Sequence, residues 1–251
     1  MPQRRKYELL IADLRRQFAA PSTPGRYDNL WQMTWNLKRF HGQLAGDVGK
    51  VRQLIAVARI ARTTAGPGSA TAEEAIMKCM EDIVRECRDP IEEVGALRVS
   101  DEPAVTAPAP ELRPTARVVT ELSQYALECF QFTARPRDVF AGARRGLAFN
   151  ILGAASRMCA APASLELAHQ ALRQNRSQEV RGAINFLGDY FKARAEMPVP
   201  EDIVEGLLVV AEKSNSRSTA TGALNVLVET GQISELEACD RIADWKAEHD
   251  R

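Results

Sequence analysis

Three related stretches recur in the second half of the chain: Gly146-Leu-Ala-Phe-Asn150-Ile-Leu-Gly153, Gly182-Ala-Ile-Asn185-Phe-Leu-Gly188 and Gly222-Ala-Leu-Asn225-Val-Leu-Val228. Each contains a glycine, then apolar residues, then an asparagine followed by an apolar residue and a leucine. The asparagines lie 35 and then 40 residues apart, a spacing typical of two-helix repeats. One helical hairpin cannot bury its apolar face alone, whereas stacked hairpins share a core and need small residues where helices meet. The pattern therefore predicts stacked helical hairpins.

Helical periodicity extends outward from these stretches over most of the chain, and strand-type alternation is scarce. We predict an all-α fold of about 11 helices, a right-handed superhelix of stacked helical hairpins known as an α-solenoid. Capping boxes at Thr71 with Glu74 and at Ser234 with Glu237 are expected to begin two helices, and Gly-Pro-Gly-Ser at 66–69 is interpreted as a turn. The predicted helices lie near residues 4–18, 22–42, 48–63, 71–87, 115–131, 137–159, 163–174, 178–194, 201–213, 217–230 and 234–247.

A segment rich in proline and alanine separates two helical regions. Residues 95–114 read GALRVSDEPAVTAPAPELRP and lack helical periodicity. A connection of this length without structure of its own is uncommon inside a compact domain. We therefore predict an N-terminal helical region at 1–95, a linker at 96–114 and a C-terminal repeat region at 115–251.

At its repeated glycines and asparagines, over residues 137–231, the chain resembles the armadillo and HEAT repeat families. In those families the last helix of each repeat lines a concave surface, and in armadillo repeats it often presents an asparagine. The Val-Arg pair typical of HEAT repeats appears at Val180-Arg181. The tryptophan that is common one turn before the armadillo asparagine is replaced here by Gly146, Arg181 and Thr221. The resemblance implies that one layer of helices forms a concave binding surface.

The repeated asparagines Asn150, Asn185 and Asn225 are the candidate partner-binding residues. A row of side-chain amides along a groove can pair with the main chain of an extended peptide. The alternative is structural: each amide satisfies a neighbouring backbone carbonyl where a helix or loop comes close. The function predicted from this row is a non-catalytic protein–protein interaction module or scaffold that binds a partner segment, a protein or a peptide, on a concave solenoid surface.

Arginines beside the asparagines are candidates for contact with an acidic ligand. They are Arg144, Arg145 and Arg181, and the guanidinium fork matches carboxylate geometry. On a helix of this kind arginine is also simply a solvated side chain, so both interpretations stay open.

Charge is balanced overall but unevenly distributed along the chain. Lys plus Arg and Asp plus Glu each number 33. Residues 1–66 hold 12 basic and 4 acidic side chains, whereas residues 197–251 hold 5 basic and 11 acidic ones. The basic first part suggests an alternative function, binding of nucleic acid or another anionic surface. The simpler interpretation is a solvated helical face whose charges are partly compensated in space.

A candidate aromatic and basic patch lies in this first part of the chain: Trp31, Trp35, Lys38 and Arg39. The two tryptophans are one helical turn apart, so their rings would lie on one face and could stack on bases or anchor a partner. The same spacing is typical of a stripe that packs into a core.

Signatures of catalysis, cofactors and metals do not stand out in the sequence, so we expect no enzymatic activity, no cofactor and no bound metal. The five cysteines are widely spaced in apolar stretches and are interpreted as small buried hydrophobic residues: Cys79, Cys87, Cys129, Cys159 and Cys239. A charged N-terminus and the lack of an apolar window long enough to span a membrane predict a cytoplasmic protein. The oligomeric state is not indicated.

Overall fold

The computed structural model describes residues 3–19, 32, 36–64, 67–87, 114–132, 140–158, 163–174 and 176–249. Every regular element in these residues is helical, so the predicted all-α class is confirmed. A short 3-10 turn, Lys38–Phe40, precedes the second helix. In the described residues the chain forms eleven α-helices: α1 (Gln3–Ala19), α2 (His41–Leu44), α3 (Val48–Thr63), α4 (Pro67–Glu86), α5 (Pro114–Gln131), α6 (Ala141–Ala155), α7 (Ala163–Leu172), α8 (Ser177–Lys192), α9 (Glu201–Lys213), α10 (Arg217–Glu229) and α11 (Glu235–His249).

The helix bounds agree with the sequence pattern at most positions and differ at one predicted capping box. The prediction that α4 begins at Thr71 is wrong, because the helix begins at Pro67. Proline suits the first turn of a helix, since the N–H that it lacks has no helical acceptor there. The cap predicted at Ser234 is confirmed: the Glu237 backbone N–H donates a hydrogen bond to Ser234 Oγ at 3.1 Å.

The chain divides into two compact units, Met1–Glu128 and Cys129–Arg251. Helix α5 runs from the first unit into the second. The predicted linker at 96–114 lies outside the described residues except for Pro114, which begins α5. Most of the helix predicted at 22–42 also lies outside them.

In the first unit, α3 contacts both α1 and α4. Tyr7 of α1 is buried, and its hydroxyl donates a hydrogen bond to the Lys50 carbonyl oxygen at 2.8 Å. The bond satisfies the polar atom that a buried tyrosine carries into the core. The buried residues of α3 follow the apolar stripe predicted from helical spacing: Val51, Leu54, Ile55, Val57, Ala58 and Ala61.

Two exposed ion pairs join α3 to α5 within the first unit. Arg52 pairs with Glu121 at 2.6 Å, and Arg59 pairs with Glu128 at 2.6 Å. The partners are 69 residues apart in both pairs, and the second pair lies two turns further along each helix. Helices α3 and α5 therefore run in the same direction at this contact. Exposed pairs of this kind contribute little to stability, but they neutralise both guanidinium groups.

A third ion pair in the first unit is buried. Arg62 Nε lies 3.4 Å from Glu73 Oε1, and the two side chains are only 6% and 1% exposed. The Arg62 guanidinium also lies 4.8 Å from the centre of the Tyr125 ring, within the range of a cation–π interaction. Because little water reaches this site, each of the two charges is stabilised by the other.

In the second unit, alternate helices pack side by side. Helix α8 contacts α6 and α10, and α9 contacts α7 and α11. Helices that follow each other in the chain also make contacts, as α7 does with α8 and α9 with α10. The contacts thus form two series, α6–α8–α10 and α7–α9–α11.

Repeated glycines create the close approach between α6 and α8. A Cβ atom on Gly182 would collide with the Gly146 backbone, and a Cβ atom on Gly146 would collide with the Gln178 carbonyl oxygen. A Cβ atom on Gly222 would instead lie 3.5 Å from Ile184 Cγ2, an ordinary contact. The prediction that glycine permits close helix packing is confirmed for the first two repeats and wrong for the third.

The last helix, α11, buries no residue. It contacts α9 and α10. Its Leu236 is 73% exposed. Cys239 is exposed on the same helix, so the prediction of burial is wrong for this cysteine. Cys159 lies outside the described residues, and the other cysteines are buried as predicted: Cys79, Cys87 and Cys129.

Candidate functional site

The candidate site is built on the repeated asparagines, which lie on α6, α8 and α10. The Asn185 side-chain N–H donates a hydrogen bond to Asn150 Oδ1, with a distance of 3.3 Å between nitrogen and oxygen. Asn150 is half-buried, and both Asn185 and Asn225 are exposed. The first two amides therefore meet on a side of α6 and α8 that water reaches.

The spacing of the asparagines follows the packing of neighbouring helices between α6 and α8 but not between α8 and α10. At the glycine contact the facing positions of α6 and α8 are 36 residues apart, close to the 35 residues between Asn150 and Asn185. The facing positions Ile184 and Gly222 of α8 and α10 are 38 residues apart, whereas Asn185 and Asn225 are 40 apart. Asn225 therefore lies about half a turn beyond the position that faces Asn185. In the described part of the chain, no hydrogen bond joins these two amides.

The arginines near the asparagines have different environments. Arg144 is 4% exposed, and its guanidinium lies 5.3 Å from the centre of the Phe132 ring, so the idea that it faces a ligand is wrong. Arg145 is half-buried and pairs with Glu179 at 3.5 Å. Arg181 is exposed and forms no ion pair with a described residue. Arg181 is thus the best placed of these arginines to meet an acidic ligand.

Opposite charges flank Asn185 and Asn225 along their helices, and these charged residues lie outside the repeated stretches. On α8, Arg181 lies one turn before the asparagine and Asp189 one turn after it. On α10, the exposed Glu229 likewise follows the asparagine by one turn, and the exposed Arg217 precedes it. Asp189 also borders α6, because its Oδ2 lies 3.1 Å from the place that a Gly153 Cβ would take. The signal in the sequence is the recurrence of an acidic residue four positions after the asparagine in these two helices.

The predicted aromatic and basic patch is only partly visible. Trp31 and Trp35 lie outside the described residues, and of Lys38 only the backbone is described. Arg39 is exposed in the 3-10 turn that precedes α2. The patch therefore stays a prediction.

Many basic side chains of residues 1–66 already have acidic partners. The interpretation that the basic first part is compensated in space gains support from these pairs, since a paired cation attracts a phosphate backbone less strongly. The pairs are Arg16–Asp13, Lys50–Asp47, Arg52–Glu121, Arg59–Glu128 and Arg62–Glu73.

Two described residues of the first unit, Tyr7 and Cys87, have strongly raised pKa values. Burial raises the pKa of the Tyr7 hydroxyl well above its ordinary value. Burial also raises the pKa of the Cys87 thiol to about 11, and its Sγ lies 3.5 Å from the Ala45 carbonyl oxygen. Both groups are neutral near pH 7, as expected for side chains that pack in a core.

Within the ranges that the structure describes, no three His, Cys, Asp or Glu side chains converge as a metal ion would require. None of the described helices is both long and apolar enough to cross a membrane.

The chain matches no protein-family model, no curated protein and no solved structure at a significant level. The resemblance to armadillo and HEAT repeats therefore rests on the sequence pattern alone, and the family and the class of partner stay predictions.

Proposed function

We propose that α6–α11 form a short right-handed solenoid and that the face carrying Asn150, Asn185 and Asn225 binds an extended protein segment. In this proposal the protein is a non-catalytic interaction module or scaffold. The observation that carries the proposal is the hydrogen bond between the Asn185 and Asn150 side chains, because it joins the amides of consecutive repeats on one exposed face. The two series of contacting helices support the solenoid arrangement.

The chemistry of the side-chain amide suits an extended ligand. An asparagine amide offers two N–H donors and one oxygen acceptor. An extended segment presents backbone N–H and C=O groups that have lost water and need partners. After the bond between them, Asn185 keeps one N–H and its oxygen, and Asn150 keeps both N–H groups. The pair can therefore bind a backbone without giving up its own contact.

A purely structural role explains the asparagines less well. A hydrogen bond between two amides that water reaches contributes little to stability, because water competes for both groups. Asparagine is also a poor residue for the middle of a helix. Its recurrence at Asn150, Asn185 and Asn225 therefore favours a role toward a ligand over a role in folding.

The flanking charges add selectivity to this face. Arg181 lies one turn before Asn185 and is exposed, so it favours a segment with an acidic side chain at this point. The helices that carry the face are pre-formed, which reduces the entropy lost on binding and lets modest contacts in successive repeats sum to a useful affinity.

The test is the selection of peptides from a random library on the full chain, followed by NMR titration of the peptides that bind. The proposal expects the side-chain amide signals of Asn150, Asn185 and Asn225 to shift with saturation. The signal of Gln170, which is exposed on α7, serves as the control and should not move. Failure to select any peptide, or shifts confined to α7, α9 and α11, would contradict the proposal.

A further inference from the structure

A second candidate site lies in a cavity of about 480 Å³ in the second unit. Its walls are the last turns of α7 and α9, the first turns of α8 and α10, and described residues that lie between these helices. Volumes of this size are typical of small-molecule pockets. The repeated asparagines do not line this cavity, so it is separate from the face described above.

The floor of the cavity is apolar. Leu172, Val180 and Val210 line it and are buried. Val209 lies beside them and is 44% exposed. An apolar part of a ligand would cover this valine, and the burial of apolar surface would favour binding.

The rim of the cavity is basic. Arg173, Arg176 and Lys213 line it, and all are exposed. Arg173 and Lys213 form no ion pair with a described residue, whereas Arg176 Nη1 lies 3.6 Å from Glu179 Oε2. Glu179 is buried and shared with Arg145 at 3.5 Å. The lining of the cavity therefore carries three positive charges, and only Arg176 is paired, with a carboxylate that has a second cationic partner.

Arg176 occupies a position that the physics of helices disfavours. It is the N-cap of α8, and no side chain caps this helix. Ser, Thr, Asp and Asn are the favoured N-caps, and the N-terminal end of a helix attracts anions and repels cations. An arginine here breaks the local rule, and such departures cluster at functional sites. A bound anion would be attracted both by this arginine and by the free backbone N–H groups of the helix.

We propose that this cavity binds a small organic anion, with a phosphate or carboxylate head on the rim and an apolar body on the floor. Arg173, Arg176 and Lys213 would hold the head through charge-assisted hydrogen bonds. Val180 and Val210 would contact the body. The site does not depend on the asparagine-bearing face, so either proposal can fail while the other holds.

The test is a titration of the full chain with phenyl phosphate, followed by NMR of the backbone amides. We expect saturable shifts at residues 172–180 and 209–219, with a dissociation constant of about 1 mM or lower for a ligand of this size. Inorganic phosphate and phenol, which carry only the head or only the body, should each bind at least about fivefold more weakly. Equal binding of either compound, or no saturation, would overturn the assignment.

Matched variants locate the site. Lys213→Met and Arg173→Met should each weaken phenyl phosphate binding about fivefold, because each removes a charged partner of the head. Lys192→Met is the control, since Lys192 is exposed at the opposite end of α8, and it should change the affinity less than twofold. If all three variants bind equally, or if the shifts lie elsewhere, the proposal is wrong.

Discussion

Gly182 of α8 lies against the backbone of Gly146 of α6, so that a Cβ atom on Gly182 would stand only 2.8 Å from the Gly146 carbonyl carbon. A Cβ atom cannot approach a backbone this closely. Both helices therefore need glycine at the point where they meet. The contact also aligns Asn150 with Asn185 about one turn further along. The close packing of glycine and the meeting of the two amides therefore have one cause.

Replacement of Gly182 by alanine is expected to push α8 away from α6. Gly182→Ala should lower the free energy of unfolding by about 2–3 kcal/mol, because the new Cβ collides with a backbone that cannot rotate away. Urea unfolding followed by circular dichroism measures the change. The matched control is Gly222→Ala, whose Cβ would meet Ile184 Cγ2 at an ordinary 3.5 Å. It should leave the protein unchanged or stabilise it by up to about 1 kcal/mol, and similar losses in both variants would contradict the assigned helix contact.

The buried ion pair between Arg62 and Glu73 should be sensitive to the loss of one partner. Glu73→Ala is expected to cost about 3–5 kcal/mol, because it leaves the guanidinium of Arg62 buried without its carboxylate. Glu74→Ala is the control one residue away, since Glu74 pairs with Lys78 at the surface and should cost less than about 1 kcal/mol. Thermal unfolding of the two variants compares these losses. A Glu73→Ala protein as stable as the control would mean that the pair is exposed in solution.

Burial of Cys87 predicts a loss of stability at alkaline pH. Its pKa is raised to about 11 by burial, above the value of an unfolded thiol, so the unfolded chain ionises first as pH rises. The stability that the neutral thiol provides is therefore complete below about pH 8.5 and is lost as pH rises toward 11. Cys87→Ala should flatten this part of the curve of unfolding free energy against pH, whereas Cys239→Ala, at an exposed position, should not. Identical curves for both variants would rule out a buried Cys87.

The pairing of basic residues in the first unit predicts weak attraction to nucleic acids. Arg52 and Arg59 are already joined to Glu121 and Glu128, so we expect no measurable binding of duplex DNA or single-stranded RNA to the full chain at about 50 mM salt. Fluorescence anisotropy with labelled oligonucleotides measures this. Tight binding that weakens steeply with added salt would instead support the alternative function assigned to the basic first part.

Local pattern predicts the helices well, because apolar spacing and turn residues act over a few positions. The buried stripe of α3 and the Ser234 cap follow from residues that are neighbours in the sequence. The alignment of Asn150 with Asn185 is also predictable in outline, since each asparagine follows its repeated glycine by about one turn. The start of α4 at Pro67 is the exception, because Gly-Pro-Gly-Ser serves equally well as a turn and as the first turn of a helix.

Features that depend on packing between distant segments could not be predicted from the sequence. The offset of Asn225 from the position that faces Asn185 depends on how α10 packs against α8. No local sequence pattern predicts this packing. Arg144 is buried because Phe132 and Phe140 fold over its guanidinium. Arg52 finds its carboxylate 69 residues away. Each of these features can be predicted only from the tertiary contact itself. Patterns of charge and asparagine in the sequence therefore suggest more residues available for ligand binding than the structure leaves available.

The dissociation constant of a library-selected peptide, measured by calorimetry for wild type and for Asn185→Ala, tests the proposed function most directly. We expect at least about tenfold weaker binding by the variant, since it removes two backbone-directed hydrogen bonds, with an unchanged free energy of unfolding. Gln170→Ala on α7 should bind as wild type does. Equal affinity in all three proteins, or an Asn185→Ala protein that fails to fold, would contradict a peptide-binding role for the repeated asparagines.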